Sequence, residues 1–186
     1  MPVTAIDPKT ALIVIDLQKG IVSLPAVHPI EGVIKRASTM AAAFREQGLP
    51  VVLVKVTGAP KVRTEQPRHN RDLPAGWADL IPELNRQPQD HAVTKNTPGA
   101  FTKTDLEAYL QAQGITQIVI TGVATSNGVE VTARQAYELG FNIAFAIDAM
   151  TDGDADAHTY CVARVFPKIG ETGTADEILS LLKQGA

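Results

Sequence analysis

The chain has 186 residues, of which 45% are hydrophobic and 20% charged, and its formal net charge is −3 at pH 7. This composition is typical of a globular protein with a full hydrophobic core, and without a basic stripe we expect no nucleic-acid partner. The longest apolar runs are too short to cross a bilayer, the N-terminus lacks the layout of a secretory signal, and Cys161 is the single cysteine. We therefore expect a cytoplasmic protein with no membrane partner and no intrachain disulfide.

Short continuous apolar runs alternate along the chain with segments of helical periodicity. Runs such as ALIVI and VVLV are typical of strands that are buried on both faces. The predicted strands cover residues 10–18, 50–56, 91–95, 117–124 and 142–150, with an edge strand near 168–171. The predicted helices cover residues 30–47, 102–113, 129–140, 154–166 and 174–184. A loop over 57–76, interpreted as a segment that covers a site, precedes a short helical turn at 77–84.

Two helix starts carry the pattern of a capping box, in which a threonine is followed three residues later by a glutamate: Thr104 with Glu107, and Thr174 with Glu177. Strands that alternate with helices of ten or more residues predict a three-layer α/β/α sandwich. Its central sheet is expected to be largely parallel, with five to six strands and helices on both faces. Because the sequence shows no repeat and no linker, residues 1–186 are interpreted as a single domain.

Ligands of such sheets bind beyond the carboxyl ends of the strands. This rule singles out residues 16–18, 56–58, 95–101 and 123–128. Asp16 follows a buried apolar run, and Lys95 ends a short strand. Each residue alone is more often a cap or a solvated charge, but two opposite charges at neighbouring strand ends can tune each other and hold a proton in place.

The turn GVATSNG (122–128) lies between a predicted strand and a predicted helix. One interpretation is a tight connection whose glycines provide positive φ or close packing. The other is a cluster of backbone N–H groups at a helix N-terminus, which binds an anion or a developing oxyanion. The length of the motif favours the second interpretation.

Cysteine and histidine offer little further chemistry in this sequence. Cys161 lies in the middle of a predicted helix with apolar spacing, so it is predicted to be a core residue and not a nucleophile. His158 is a weak site candidate, and the other histidines lack metal-ligand spacing. The acidic residues from Asp148 to Asp156 are interpreted as a helix-capping loop. We therefore expect no metal and no cofactor.

Four stretches, taken together, resemble the isochorismatase-like (cysteine) hydrolase superfamily. They are ALIVIDLQKG (11–20), VTKNTPGAF (93–101), ITGVATSNGVEVTARQAYELGF (120–141), and IDAMTD with the later VFPKIGET. They occur in the family's order and cover most of the chain. The resemblance implies a three-layer α/β fold, a cis peptide bond between Val123 and Ala124, and a homo-oligomer, either dimer or tetramer.

The family's usual triad consists of an aspartate, a lysine and a cysteine. Asp16 and Lys95 match the first two positions, whereas Gly128 stands where the family has its nucleophile. The resemblance also implies an oxyanion hole formed by the backbone N–H groups of Ala124 and Gly128. Without a thiol at residue 128, no acyl-enzyme can form there.

True isochorismatases resemble this chain in lacking the cysteine. In them the aspartate is thought to act as a general acid that protonates a vinyl ether, after which water attacks the oxocarbenium ion and pyruvate is released. The resemblance thus implies hydrolysis of a vinyl ether, or of a related C–O or C–N bond in a small metabolite, by Asp16 acid/base chemistry. Burial would raise the pKa of Asp16 and Lys95 would lower it, and the sequence does not decide between them.

Four residues near these positions are predicted to bind the small-molecule substrate: Gln18, Phe101, Thr125 and Asn127. Three arginines of the 57–76 loop are candidates for binding a substrate carboxylate, by location and bidentate capacity: Arg63, Arg68 and Arg71.

Two other functions are open alternatives. A catalytically inactive small-molecule-binding or scaffold protein on the same fold would also lack the nucleophile. A nucleotide- or flavin-binding domain is disfavoured, because no glycine-rich phosphate loop follows the first strand.

Overall fold

A computed structural model describes residues 2–65 and 73–184 of the chain. Six parallel strands form one sheet in the order β3-β2-β1-β4-β5-β6. The strands are β1 (Thr10–Ile15), β2 (Val51–Val56), β3 (His91–Lys95), β4 (Gln117–Val123), β5 (Asn142–Thr151) and β6 (Glu171–Gly173). The predicted parallel sheet is confirmed.

In the described part of the chain, six α-helices and several shorter helical turns lie between or after the strands. The α-helices are α1 (Lys19–Val22), α2 (Ile30–Glu46), α3 (Leu106–Ala112), α4 (Glu130–Glu138), α5 (Ala155–Tyr160) and α6 (Ala175–Gln184). Two turns are π-helical, Thr125–Val129 and Cys161–Val165, and two are 3₁₀, Pro82–Leu84 and Phe166–Lys168. Within the described ranges, none of the helices is long and apolar enough to span a membrane.

The side chains of β1 show why the sequences of the strands contain continuous apolar runs. Leu12 and Val14 belong to a core that includes buried residues of α2 and α6. Ile13 and Ile15 belong to a second core, which includes buried residues of α3 and α4. Successive strand residues point to opposite faces, so both faces of the sheet are covered and residues 11–15 of β1 are all apolar. The predicted three-layer α/β/α arrangement is confirmed.

The order of the strands places a topological switch point between β1 and β4. From β1 the chain builds outward to β2 and β3, and it then returns to the other side of β1 to form β4. Ile15 and Gly122 are partners in the β1–β4 register. The residues that follow these two strands therefore face each other across the crevice in which such sheets bind ligands.

Gly122 allows this close approach of the two strands. Its φ is +119°, and a Cβ there would overlap the carbonyl oxygen of Ile15. The β4–β5 register also shifts between Ile120 and Gly122, as at a bulge. Only glycine meets both conditions. The next peptide bond, between Val123 and Ala124, is cis.

One of the two predicted capping boxes is wrong. Helix α3 begins at Leu106, and Asp105 is the N-cap, so Thr104 lies before the cap; its hydroxyl donates to the Ala100 carbonyl. Glu107 instead accepts a hydrogen bond from the Gln111 side chain, one helical turn on. A capping box requires the threonine to occupy the cap itself.

The capping box of α6 forms as predicted. The Thr174 backbone N–H donates to Glu177 Oε2 at 2.7 Å, and the Glu177 N–H donates to Thr174 Oγ1 at 3.2 Å.

Other differences lie mainly at element ends. The edge strand β6 occupies Glu171–Gly173 and not 168–171, because Phe166–Lys168 form a 3₁₀ turn. Strand β5 continues to Thr151. The segment predicted as one helix over 154–166 is divided into α5 and a π-helical turn. The short helix α1 has no apolar periodicity over its four residues, and it was not predicted.

Candidate active site

Asp16 is the first residue after β1 and lies in the left-handed region of backbone conformation, with φ +50°. Aspartate is one of the few residue types that visit this region routinely. The Asp16 N–H donates to the Val54 carbonyl at 2.9 Å, and its carbonyl accepts the Gln18 N–H at 2.9 Å. The residue is only 6% exposed, so its carboxyl group is buried at the end of the strand.

Lys95 lies at the end of β3 and is 1% exposed. Its Nζ is 2.9 Å from Asp16 Oδ2 and donates a 2.5 Å hydrogen bond to the Pro98 carbonyl. The chain after β3 folds back over the lysine and supplies this acceptor. The two charges that the sequence singled out are therefore a buried ion pair.

The Asp16 carboxyl group is only half paired. Its Oδ1 atom is buried and has no hydrogen-bond partner. Burial raises the pKa of Asp16 to about 6, and the Lys95 ammonium and its hydrogen bond oppose that rise. The question that the sequence left open is answered, because burial outweighs the lysine.

Gly128 lies directly beside this pair, in the π-helical turn after β4. A Cβ at residue 128 would lie 3.2 Å from Asp16 Oδ2, 3.2 Å from Lys95 Nζ and 3.0 Å from Ile15 Cγ2. Any side chain here would stand between the ion pair and the cavity. Glycine therefore leaves both charged groups accessible to a small molecule.

Two buried side chains hold the turn in place. Thr132 Oγ1 donates to the Gly128 carbonyl at 2.6 Å and accepts the Ala100 N–H at 3.1 Å, which ties the turn to the segment after Lys95. Asp152 Oδ2 accepts the Ser126 N–H at 2.7 Å. The turn is thus fixed to β5 as well as to the loop after β3.

A cavity of about 440 Å³ opens above these groups. Each of the four predicted places contributes to its lining: Asp16, Val56 with Gly58, Lys95 with Thr97 and Pro98, and Val123 with Ala124, Asn127 and Gly128. Further walls come from residues of 21–30 and 58–60, which are mostly apolar, and from Asp152 and Gly153. Part of the loop predicted to cover a site is therefore in place above the ion pair.

Of the four residues predicted to bind substrate, Asn127 alone lines the cavity. The Gln18 side chain is committed to the backbone of Val56, donating at 2.9 Å and accepting at 2.7 Å. Phe101 packs against the hydrophobic core beside Phe141. Thr125 is fully buried, and its hydroxyl is 2.8 Å from His158 Nδ1. The structure gives these three side chains supporting positions outside the cavity lining.

The remaining candidates are placed as follows. Arg63 is exposed and does not line the cavity, whereas Arg68 and Arg71 lie outside the described residues. Cys161 is buried, and burial raises the pKa of its thiol, as expected for a core cysteine. His158 contacts the turn through Thr125 and does not line the cavity.

Asp152 is the cavity residue that the sequence reasoning missed. It was grouped with the acidic stretch interpreted as a capping loop, a role that Asp154 does fill by accepting the N–H groups of Asp156 and Ala157. Because β5 extends to Thr151, Asp152 is the first residue after the strand. The strand-end rule singled out places after the first four strands only; extended to the fifth strand, it would have included Asp152.

These observations define a class: a three-layer parallel α/β protein whose cavity lies at the topological switch point, with a buried aspartate–lysine pair beside a bare backbone turn. Among residues 2–65 and 73–184, no group of three or more His, Cys, Asp or Glu side chains is arranged to hold a metal ion.

Comparison with known proteins identifies the family. The model of the isochorismatase domain matches residues 10–177. The uncharacterized isochorismatase family protein YwoC of Bacillus subtilis is 38% identical over 182 residues, 94% of this chain and 95% of the relative. Streptothricin hydrolase of Streptomyces noursei is 33% identical over 148 residues, 79% of this chain and 51% of the relative.

A solved structure agrees with this result. The isochorismatase family protein from Burkholderia thailandensis superposes with a TM-score of 0.93 at 41% identity, and the match covers 96% of this chain and 98% of that chain. The chain therefore belongs to the isochorismatase family and has the fold of that family's hydrolases.

Proposed function

We propose that this protein hydrolyses a small metabolite without a covalent enzyme intermediate, using Asp16 for proton transfer. The observation that carries the proposal is the half-paired Asp16 carboxyl group at the cavity, with a pKa raised to about 6 by burial. A carboxyl group with this pKa is protonated in roughly one molecule in ten at pH 7. It is therefore able to act as either a general acid or a general base.

Lys95 has two roles in this proposal. Its hydrogen bonds to Asp16 Oδ2 and the Pro98 carbonyl hold the carboxyl group in place at the cavity that Asp16 lines. Its ammonium also stabilises negative charge that develops on the substrate nearby. The backbone N–H groups of Ala124 and Gly128, both at the cavity lining, are assigned to bind a developing oxyanion.

The bond that is broken is a vinyl ether C–O bond or a related ester or amide bond. For a vinyl ether, the Asp16 carboxyl group gives its proton to the terminal vinyl carbon, water adds to the oxocarbenium carbon, and the proton that this water loses returns to Asp16. The resulting hemiketal collapses to a ketone and an alcohol. For an ester or amide, ionised Asp16 takes a proton from the attacking water and gives it to the leaving alkoxide or amine as the tetrahedral intermediate collapses. Glycine at residue 128 leaves room beside the ion pair for substrate or water.

A substrate screen tests the proposal. Vinyl ethers, esters and amides would be assayed with the wild-type protein, with Asp16→Asn and Lys95→Met, and with Asp79→Asn as a control for an exposed, ion-paired carboxylate. We expect kcat/KM to fall by ~10²–10⁴ in the Asp16 variant and to be unchanged in the control. Circular dichroism would establish that each variant is folded. Turnover that survives Asp16→Asn would refute the role of Asp16.

The pH dependence of kcat/KM distinguishes the two kinds of chemistry. If Asp16 is a general acid, kcat/KM is lost as the pH rises through about 6. If it is a general base, kcat/KM is gained over the same range. A profile with no inflection near this pH contradicts both assignments.

A second candidate function is that of a catalytically inactive binding or scaffold protein. The observation that favours it is the glycine at residue 128, since no nucleophile is available there for the family's covalent chemistry. Small-molecule binding without turnover of any of the three substrate classes would support this function over the first.

A further inference from the structure

The charges at the cavity are unusual for a protein that would act on an anionic metabolite. Among the described residues that line it, three carry formal charges: Asp16, Lys95 and Asp152. The single ammonium is already bound to Asp16 and to the Pro98 carbonyl. Among the described lining residues, a substrate anion would find only this ion-paired ammonium, and it would face the Asp152 carboxyl group.

Among the described residues, Asp152 is a buried acid that has no counter-ion. It is 6% exposed, and its hydrogen bonds come from two neutral peptide groups, the N–H of Ser126 at 2.7 Å and that of Asp154 at 3.2 Å. Over the described part of the chain, it takes part in none of the ion pairs. Buried carboxylates are costly and are usually paired, so an unpaired one beside a cavity indicates a partner that arrives with the ligand.

His158 does not supply that partner. It lies on α5, close to the turn that Asp152 holds. Burial and the neighbouring His28 lower the pKa of His158, and this outweighs the opposite effect of Asp152. The imidazole is therefore largely neutral near pH 7 and does not balance a charge on Asp152.

We infer that Asp152 is a specificity-determining residue, which selects substrates that carry a protonated amine or a similar cation and disfavours anionic ones. The inference rests on the proposed function for the identity of the site, and it adds the class of substrate. A second buried acid, Asp16, lines the same cavity and, in the proposed function, acts on the bond that reacts. The apolar residues of 21–30 and 58–60 contact the hydrocarbon part of the substrate between the two carboxyl groups.

Binding of matched ligands tests this inference without reference to turnover. The probes are ω-amino primary amides of three to six carbons, their neutral isosteres in which a methyl group replaces the ammonium, and the corresponding ω-carboxylates. Isothermal titration calorimetry gives Kd for each. We expect the cationic amide to bind roughly 10-fold or more tightly than its neutral isostere, because a charged hydrogen bond replaces an apolar contact. The carboxylates should bind weakest.

Two variants test whether the preference for cationic ligands depends on Asp152. Asp152→Asn keeps the shape of the side chain and an acceptor for Ser126, and we expect it to abolish the preference for the cation while neutral amides bind as before. Asp154→Asn removes the same charge from an exposed helix cap two residues away, and it should preserve the preference. Thermal unfolding of both variants establishes that the fold is retained.

Three results would overturn the inference. They are tightest binding by a carboxylate, an unchanged cation preference in Asp152→Asn, and no binding of any amine at millimolar concentration. A purely structural role of Asp152 predicts the second result, with loss of affinity for all three ligand series together. If cationic amides bind as expected but no substrate class is turned over, the proposed hydrolysis fails and the assignment of Asp152 stands.

Discussion

Strand β3 is flanked by two buried ion pairs that differ in how completely their oxygen atoms are bonded. At its start, Arg45 from the end of α2 donates two hydrogen bonds to Asp90, at 3.0 Å to Oδ1 and 2.8 Å to Oδ2. At its end, Lys95 contacts Oδ2 of Asp16 alone and leaves Oδ1 without a partner. Both carboxylate residues are 6% exposed, so burial does not distinguish them.

The bonds made around each pair explain the difference. Asp90 also accepts the Gln87 N–H at 2.7 Å, and Arg45 donates to the Leu84 carbonyl at 3.1 Å, so that pair closes a network in which both carboxylate oxygens are used. The planar guanidinium matches a carboxylate in a way that a lysine ammonium cannot. A buried ion pair with every oxygen bonded serves the fold, whereas a half-bonded one is available for chemistry.

Breaking the structural pair should have the largest effect on stability. Arg45→Met leaves Asp90 buried without its counter-ion, and we expect a loss of about 3–5 kcal/mol in the free energy of unfolding. Urea denaturation measures this. Arg36→Met, on the same helix, removes an exposed pair with Asp148 and should cost no more than about 1 kcal/mol. Equal losses in the two variants would show that the bonding of the Arg45–Asp90 pair does not matter.

The Asp16–Lys95 pair should make the free energy of unfolding depend on pH. The ordinary pKa of Asp16 is 3.8, and burial raises it to about 6 in the folded protein, so its contribution to stability is fully present below about pH 3.8 and is lost as the pH rises through 6. Relative to Asp16→Asn, the wild-type protein should lose on the order of 3 kcal/mol between about pH 4 and pH 7.

Denaturation curves at several pH values test this expectation, with Asp79→Asn as a variant whose difference from wild type should show no comparable loss. The expectation is wrong if the difference between wild type and Asp16→Asn is constant, or if it grows in favour of wild type as the pH rises.

Substitution of Gly128 should cost less stability than loss of the Arg45–Asp90 pair, and it should change the chemistry most clearly. A Cβ at residue 128 would meet Ile15, Asp16 and Lys95 at 3.0–3.2 Å, so Gly128→Ala should cost about 1–3 kcal/mol by overpacking. Gly128→Cys adds a thiol at the same place, beside an ammonium that favours the thiolate. With p-nitrophenyl acetate, we expect an acetylated protein by mass spectrometry.

Gly128→Ala is the matched control for that experiment, because it has the same Cβ and retains Cys161. Acetylation of both variants to the same extent would show that the turn does not activate a nucleophile at residue 128.

The sheet could be predicted from the sequence because its strands are buried on both faces. ALIVI and VVLV are apolar at every position, and each is bounded by polar or turn-forming residues. The predicted meeting of residues 16, 95 and 123–128 needed only the rule that parallel strands end at one edge. Gly122 illustrates what a sequence does not reveal, because its close contact with Ile15 is a tertiary one.

Other properties of the site, such as the pKa of Asp16 and the partners of its neighbouring side chains, depend on tertiary contacts that local sequence does not encode. The pKa of Asp16 results from burial acting against Lys95, and both depend on the fold around them. Gln18 and Thr125 stand beside the site in sequence, yet their side chains bond to Val56 and His158. Asp152 was overlooked because the strand-end rule was applied to the first four strands only and the acidic stretch was interpreted as a whole.

The switch point between β1 and β4 separates the charged pair from the walls of the cavity. Asp16 and Lys95 are held where β1 and β3 end, while residues 21–30 and 58–60 lie outside the sheet. Substitutions in those outer segments change the walls without altering the strands that hold the pair. The architecture is therefore evolvable: the shape and polarity of the cavity can diverge while Asp16 and Lys95 stay in place.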